Sequence, residues 1–301
     1  MIDVRTFTPA DFDEHEGFRE VLEEGSTRPE WSFIAESGGE LLARAGFLSQ
    51  DPPADAPVEI YLFGLWVQWD KPLAVTAAVE MLKTALPIVA KVGAPVDART
   101  NPAVHDDFEQ RRALFESAGM GLFQEKQGHT WQADANDRPI RSPLLTFHSY
   151  AELPRHEFLA VLSRGPAGTL DRNDRYYYSL TGPVGWAKVM EGFLGPGDED
   201  TWKVGYDAAG VPVGYVMLSA FDEDATGTIA HIGVVPEQRG NGYVNDLLAE
   251  ATADAADRGF STILSDTDVL NSPMIAAFER AGHREGVRPW HVWHYRYPPP
   301  N

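Results

Sequence analysis

One junction constrains this chain more than any other: a β-branched run stops at a proline, passes a short glycine turn and enters a helical pattern. Thr228-Ile-Ala-His-Ile-Gly-Val-Val235 has strand composition, and Pro236, which has no amide hydrogen for a ladder, ends it. Pro236-Glu-Gln-Arg-Gly-Asn-Gly242 turns, and Tyr243 to Ala256 carries apolar residues at helical spacing. Glycine tolerates backbone angles that other residues avoid and lets a ligand approach the chain closely. Such a turn points several free amides into one concavity, where the helix dipole favours an anion. The junction therefore reads as a phosphate cradle between a strand and a helix. At the two glycines alone, a plain strand-to-helix turn would look the same.

At 301 residues the chain has room for two domains of about 150 residues each. The polar, proline-punctuated stretch Asp134 to Pro143 is the natural boundary, giving domains at 1–138 and 139–301. A second proline-rich stretch, 51–57, reads as a surface loop, and the tail at 298–301 as frayed. The halves share a repeat: Ala113-Leu-Phe-Glu-Ser-Ala-Gly119 and Ala276-Ala-Phe-Glu-Arg-Ala-Gly282 agree at five of seven positions. Each copy ends a helical pattern on a glycine, follows a short strand (96–101 or 262–266) and precedes an aromatic one (128–132 or 290–297). Chance resemblance of two glycine-capped helices is the alternative to duplication. The second half reads as strands at 144–148, 201–206, 211–219, 227–235, 261–266 and 290–297. Helices are expected at 154–163, within 182–194, and at 242–258 and 273–281. Strands and helices mixed in this order imply an α/β sheet with helices on both faces.

Composition narrows the function classes. A formal net charge of −20, from 45 acidic and 25 basic residues, repels nucleic acid and anionic lipid and favours cationic small substrates. There are no cysteines, which removes disulfides, thiolate zinc sites and a cysteine nucleophile; no metal is expected. The first residues lack a basic region followed by an apolar core, and no apolar run nears the roughly 18 residues that span a bilayer. The expectation is a cytoplasmic protein with no membrane and no nucleic-acid partner, as a monomer or homodimer.

Val234-Val-Pro-Glu-Gln-Arg-Gly-Asn-Gly242, after a strand and before a helix, resembles the acetyl-CoA loop of the GNAT superfamily of N-acetyltransferases. The resemblance covers about residues 145–297. It extends to the first half only at that half's helix–glycine–strand end. It implies two tandem GNAT-like domains, each a mixed, mostly antiparallel sheet flanked by helices, with acetyl-CoA as co-substrate. It puts the pantetheine-binding backbone on Ile232, Gly233 and Val234. The pyrophosphate-binding amides fall on Gly240, Asn241, Gly242, Tyr243, Val244 and Asn245, with Arg239 opening the loop. Asn271 matches the asparagine that contacts the cofactor near its thiol. Val244 stands where the family usually has a small residue. In the first half the strand Leu62–Trp69 runs into Asp70-Lys71-Pro72 with no glycine cradle, so that half resembles a degenerate copy.

Acylating an amine requires that a proton leave the ammonium and that the departing thiolate acquire one. Where some members of the family have a strand glutamate as base, this chain has Thr228, which cannot serve. Asp266 matches an alternative base position, and Asp268, on the same face of a continued strand, could hold a cationic amine. These aspartates could equally be turn-formers capping the following helix. His231 is a second catalytic candidate because histidine titrates near neutrality, although strand histidines are often satisfied core residues. Phe278 stands where the family places a tyrosine acid, leaving water, Tyr243 or Tyr295 to protonate the thiolate. Tyr177, in Arg172-Asn-Asp-Arg-Tyr-Tyr-Tyr178, falls where related proteins form the acceptor wall and could stack on a cation.

The expected function is transfer of an acetyl group from acetyl-CoA to a primary amine of a small, cationic acceptor, directly and in a ternary complex. A non-catalytic acyl-CoA-binding sensor is the alternative, supported by Thr228 and Phe278. A Rossmann nucleotide site fails on spacing, since Asn245 stands where Gly-x-Gly-x-x-Gly needs its third glycine.

Overall fold

The structure, a computed structural model, describes residues 1–49, 57, 59–134, 139–220, 225–286 and 290–295. Residues 51–56 of the proline-rich stretch, 135–138 of the polar segment and the tail at 298–301 lie outside them. The chain forms two compact units, one of residues 1–125 with 290–301 and the other of residues 126–289.

The first unit contains β1 (Ile2–Thr6), α1 (Pro9–Glu14), α2 (Glu16–Glu23), β2 (Ser32–Ser37), β3 (Glu40–Ser49) and β4 (Ile60–Val67). It continues through α3 (Ala74–Val89), β5 (Val96–Thr100), α4 (Phe108–Ser117) and the start of β6 (Gly121–Gln132). Its strand order is β1-β2-β3-β4-β5-β13-β6, where β13 is Trp290–Tyr295. The β4–β5 pair is parallel and β1–β2, β2–β3, β3–β4 and β13–β5 are antiparallel. Helix α3 buries Ala74, Ala77, Ala78, Met81, Leu82, Ala85, Leu86 and Val89, spaced three and four apart, so one stripe of the helix meets the sheet. That stripe packs in one core with Phe33, Phe47, Ile60, Phe115 and Trp293. Burying each such large apolar side chain contributes roughly 1.5–3 kcal/mol.

The second unit contains the remainder of β6, then β7 (Thr146–Ser149), α5 (Arg155–Leu162), α6 (Arg172–Glu191), β8 (Trp202–Tyr206) and β9 (Pro212–Ala220). After these come β10 (Thr226–Val234), α7 (Tyr243–Asp257), β11 (Thr262–Asp268), α8 (Ser272–Arg280) and the short β12 (Arg284–Glu285). Its order, β7-β8-β9-β10-β11-β6-β12, repeats the first unit's, again with one parallel pair, β10–β11. The two copies of the sequence repeat also close alike. Met120 N donates to Phe115 O and His283 N to Phe278 O, both at 2.9 Å, while Gly119 and Gly282 sit at φ 90° and 85°. That six-to-one bond over a left-handed glycine is the Schellman ending, which non-glycine residues resist.

The expected boundary at 138/139 does not stand. The aromatic strands that close the two repeats are exchanged between the units. Lys126–Gln132 of β6 pairs antiparallel with Asp268–Thr262 of β11, and His291–Tyr295 of β13 pairs with Thr100–Val96 of β5. Both are aromatic-bearing strands, with Trp131 in one and Trp290 and Trp293 in the other, and ladder bonds use backbone groups that every strand carries, so composition alone does not say which sheet each completes. The other departure is α6. Its helix starts at Arg172, ten residues before the expected segment, capped by Asp171, whose Oδ1 accepts Asp174 N at 3.0 Å. It kinks at Gly182 (φ 68°), just ahead of Pro183.

Candidate functional site

Strand β10 is bulged, with its register against β9 shifting between Ile229 and His231. Its pairing with β11 covers only Thr226–Thr228 against Thr262–Leu264. The two parallel strands therefore part, and the Ile232–Val234 backbone runs on beyond the β11 ladder towards the glycine turn. A splayed parallel pair leaves backbone donors and acceptors for a ligand laid between the strands.

Beyond Val234, Pro236–Gln238 make one 3-10 turn, and Gly240 and Gly242 adopt φ 84° and 83° before α7 begins. A Cβ on Gly240 would meet nothing within 4 Å, and one on Gly242 only Asn245 Nδ2 at 3.7 Å. Gly242 is the N-cap of α7, and no side chain caps that end. The first-turn amides and the dipole of a fifteen-residue helix thus face an open concavity. This geometry suits an anionic phosphate group such as the pyrophosphate of a coenzyme.

The loop's side chains mostly hold the loop itself. Arg239 donates from Nε to Val234 O at 3.1 Å and from a terminal nitrogen to Gly165 O at 2.6 Å, so its guanidinium staples the cradle to the segment after α5. Asn241 Nδ2 donates to Gln238 O at 3.1 Å, and Asn245 Nδ2 to Gly242 O at 2.8 Å. A cavity of about 410 Å³ lies along this surface. Its walls include His231, Ile232, Gly233, Val234, Arg239, Gly240, Gly242, Tyr243, Val244 and Asn271, ten of the residues singled out from sequence. Val244 takes its place in the wall without closing the turn. Asn241, Asn245, Asp266, Asp268 and Tyr177 are not among the wall residues.

Three of those five are engaged or buried elsewhere in the structure. Asp266 is paired with the ammonium of Lys126 at 2.5 Å across the β6–β11 pair. Asp268 is 2% exposed; its Oδ1 accepts Leu270 N at 2.8 Å and its Oδ2 accepts Arg172 N at 3.0 Å. It ties the β11–α8 turn to the start of α6 and offers no face to an acceptor. Tyr177 is 7% exposed on α6 and packs edge-on to Tyr176, inside the unit rather than on a wall. Phe278 is also buried, between His129 at 4.7 Å and His283 at 5.2 Å. Of the tyrosines considered as acid, Tyr243 lines the cavity and Tyr295 belongs to β13 of the first unit.

His231 has the richest surroundings. Its Nε2 lies 2.9 Å from Asp174 Oδ2 and its Nδ1 lies 3.0 Å from the Tyr215 hydroxyl. Trp186 meets the ring edge-on at 5.5 Å, and Tyr215 lies nearly parallel to it at 5.7 Å. Burial by itself would lower the His231 pKa. The Asp174 charge and hydrogen bond, with Asp171 behind, outweigh that against opposition from Lys126, so the pKa stands above the ordinary histidine value. Burial pushes the Tyr215 hydroxyl well above 10, so it stays protonated. Lys126 is also held on its charged side, burial opposing and Asp266, Asp171 and Asp174 raising it.

Sequence reasoning missed Asp174 and Tyr215. Asp174 lies 57 positions from His231, too far for any local spacing rule. Its one signal is Asp171-x-x-Asp174 at the head of a helical run, a pattern that marks an N-terminus. Tyr215 sits directly across the ladder from Gly233. A Cβ on Gly233 would come 2.9 Å from its hydroxyl, and one on Gly165 2.6 Å, so both glycines make room for this ring.

In the first unit, Glu59, Asp97 and His294 bring potential ligand atoms within 4.8 Å of one another. Asp97 and His294 face each other across the β5–β13 ladder at 2.8 Å, as a buried pair. Among the described residues no helix is long and apolar enough to cross a membrane.

Residues 171–283 match the profile of the Acetyltransferase (GNAT) family. No curated protein sequence matches the chain. Among solved structures, a GCN5-related N-acetyltransferase from Sphaerobacter thermophilus is similar at 15% identity and TM-score 0.62, over 98% of this chain and 95% of its own. A tandem GNAT protein from the clavulanic acid biosynthesis pathway is similar at 14% identity and TM-score 0.57, over the whole of both chains. A glucosamine N-acetyltransferase region in a fungal multi-domain GH3 β-N-acetylglucosaminidase is similar at 16% identity and TM-score 0.64, over 98% of this chain and 38% of that one. At such identities the likeness is one of fold, and that fold is the tandem GNAT arrangement. The glycine cradle, the splayed β10–β11 pair and the match of residues 171–283 to the acetyltransferase (GNAT) family fall together in the second unit.

Proposed function

We propose that this protein transfers an acetyl group from acetyl-CoA to a primary amine of a small, cationic acceptor, directly and within a ternary complex. The observation that carries the reading is one continuous cavity, with an uncapped helix N-terminus behind two left-handed glycines and a histidine–carboxylate pair among its walls. Bound acetyl-CoA would supply an activated acyl carbon and a thiolate leaving group. The amides at 240–245 would hold its pyrophosphate, the Ile232–Val234 backbone its pantetheine, and Asn271 the region near its thiol.

His231 would accept the proton that the acceptor ammonium gives up, making the nitrogen nucleophilic, and the Asp174 charge would stabilise the imidazolium formed. Asp171 and Asp174 give this end of the cavity a negative field that suits a cation, in keeping with the overall charge of −20. Amino sugars are one candidate class, given the glucosamine N-acetyltransferase among the similar structures; polyamines and aminoglycosides are others. Acetyl-CoA use fits a cytoplasmic protein, acting as a monomer or homodimer.

The test is thiol release from acetyl-CoA across polyamines, aminoglycosides, amino acids and amino sugars, with acetyl-CoA affinity measured by calorimetry alongside. Turnover with at least one amine is expected. Tight binding with no thiol release from any acceptor would overturn the enzymatic reading in favour of an acyl-CoA sensor, the alternative that the apolar Phe278 supports.

A further inference from the structure

The cavity offers an anion for one ammonium group and for no second one. Among its described wall residues only Asp174 carries a carboxylate. The two other aspartates that strand spacing suggested for a cation are engaged. Asp266 pairs with Lys126, and Asp268 is buried and accepts two backbone amides.

Those two amides also bring apolar side chains together. Asp268 takes Leu270 N at 2.8 Å and Arg172 N at 3.0 Å, so one carboxylate holds the turn before α8 against the turn before α6. Val269 and Leu270 belong to the first of these turns, and Leu170 to the second. Leu170, Val269 and Leu270 are 48%, 40% and 62% exposed. A single exposed leucine is ordinary on a protein surface, whereas neighbouring ones on two adjoining turns form a patch. The patch is continuous with the cavity, because Leu170 and Asn271, the residue after Leu270, are both in its wall. It also lies at the reacting end. Leu170 stands four positions before Asp174, which pairs with His231, and Asn271 is the residue assigned above to the region near the thiol.

Building on the acetyltransferase reading above, we propose that the acceptor is a primary monoamine on an apolar body, selected by the rim of Leu170, Val269 and Leu270. The single ammonium sits in the field of Asp174, and the alkyl or aryl portion lies on the rim. The reaction is that of the reading above: the nitrogen gains the acyl carbon, coenzyme A leaves as its thiol, and one proton is released. Covering apolar surface favours each added methylene, while a second ammonium laid on the rim loses water and gains no anion. Such amines therefore rank ahead of polyamines and aminoglycosides, which bring several ammonium groups.

The experiment measures kcat/KM at saturating acetyl-CoA for the monoamines from n-propylamine to n-hexylamine, and for the diamines of equal carbon number. In parallel, calorimetry of the same amines in the presence of coenzyme A needs no turnover. For the monoamines a rise of about fourfold per methylene is expected, in kcat/KM and in affinity. Each monoamine is expected to exceed the diamine of its length by about tenfold or more. Replacing both rim positions, Val269→Asn with Leu270→Asn, should flatten the monoamine series, with thermal melts checking the fold. A flat wild-type series, or a preference for diamines, overturns the rim and leaves the enzymatic reading intact. A series that keeps its slope in the double variant also overturns the rim. Sedimentation velocity supplies one more decision: a wild-type dimer that the double variant dissociates would place the patch between two copies and overturn the proposal. If no amine is turned over, the enzymatic reading fails, and the calorimetric series still decides whether the rim selects apolar amines.

Discussion

His283 is buried where it cannot easily carry charge, and the consequence for stability at low pH can be worked out from its surroundings. Its side chain is fully buried between Phe278 and Thr252, with His129 near enough to oppose a second positive charge. Burial first, and His129 second, bring its pKa from 6.5 down to about 3. In the unfolded chain the ring binds a proton near pH 6.5, so between pH 6.5 and 3 the unfolded state holds more protons than the folded one. Stability from this group is therefore complete above about pH 6.5 and falls as pH drops, by about 1.4 kcal/mol per unit. From pH 7 to pH 5 the loss is about 2 kcal/mol, a sizeable part of the 5–15 kcal/mol that ordinary domains possess. Replacing His283 with leucine removes the titrating group while keeping an apolar neighbour for Phe278. Urea denaturation at pH 7, 6 and 5, followed by hydrogen-exchange mass spectrometry of α7 and α8 peptides, reads the second unit by itself. Wild type is expected to lose about 2 kcal/mol more than His283→Leu over that range. Parallel losses in the two proteins would refute the argument.

Four further perturbations test the site. Gly242→Val forces a β-branched residue to φ 83°, at a cost of roughly 1–2 kcal/mol, and should weaken acetyl-CoA at least tenfold by calorimetry with the fold retained; unchanged affinity would remove the cradle. Gly165→Ala puts a methyl against the Tyr215 ring and should destabilise by roughly 1–3 kcal/mol in chemical denaturation, whereas a neutral substitution would contradict the packing. Lys126→Met removes a nearby charge that lowers His231, so the histidine midpoint by NMR should move to higher pH, and a downward move would be inconsistent. The His231–Asp174 pair, whose histidine pKa is raised, lends stability that is full below about pH 6.5 and fades as pH climbs through the raised value. Asp174→Asn should thus lose more stability at pH 6 than at pH 9 in thermal melts, and equal losses would rule out the linkage.

The cradle was legible because its chemistry is local. A strand ending at Pro236, left-handed glycines at 240 and 242 and the head of a helix are neighbours in sequence, and backbone amides shape the concavity whatever the side chains are. The helix endings at Gly119 and Gly282 were legible for the same reason. The acid–base groups were not. Asp266 and Asp268 fit a spacing rule, yet Lys126, 140 positions before Asp266, and the Arg172 amide had already engaged them. Tyr177 stood in a promising aromatic run, but only the direction of α6 decided that it points inward.

By itself, then, the sequence determined most of the element types, the duplicated plan and the glycine turn between Val234 and the helix at Tyr243, all consequences of interactions a few residues long. Tertiary structure decided that β6 and β13 each complete the other half's sheet, because ladder bonds are made by backbone groups that every strand carries. It also decided that Asp174 and Tyr215 meet His231, because a charge and a hydroxyl from distant elements act on a ring only once folding excludes the water between them.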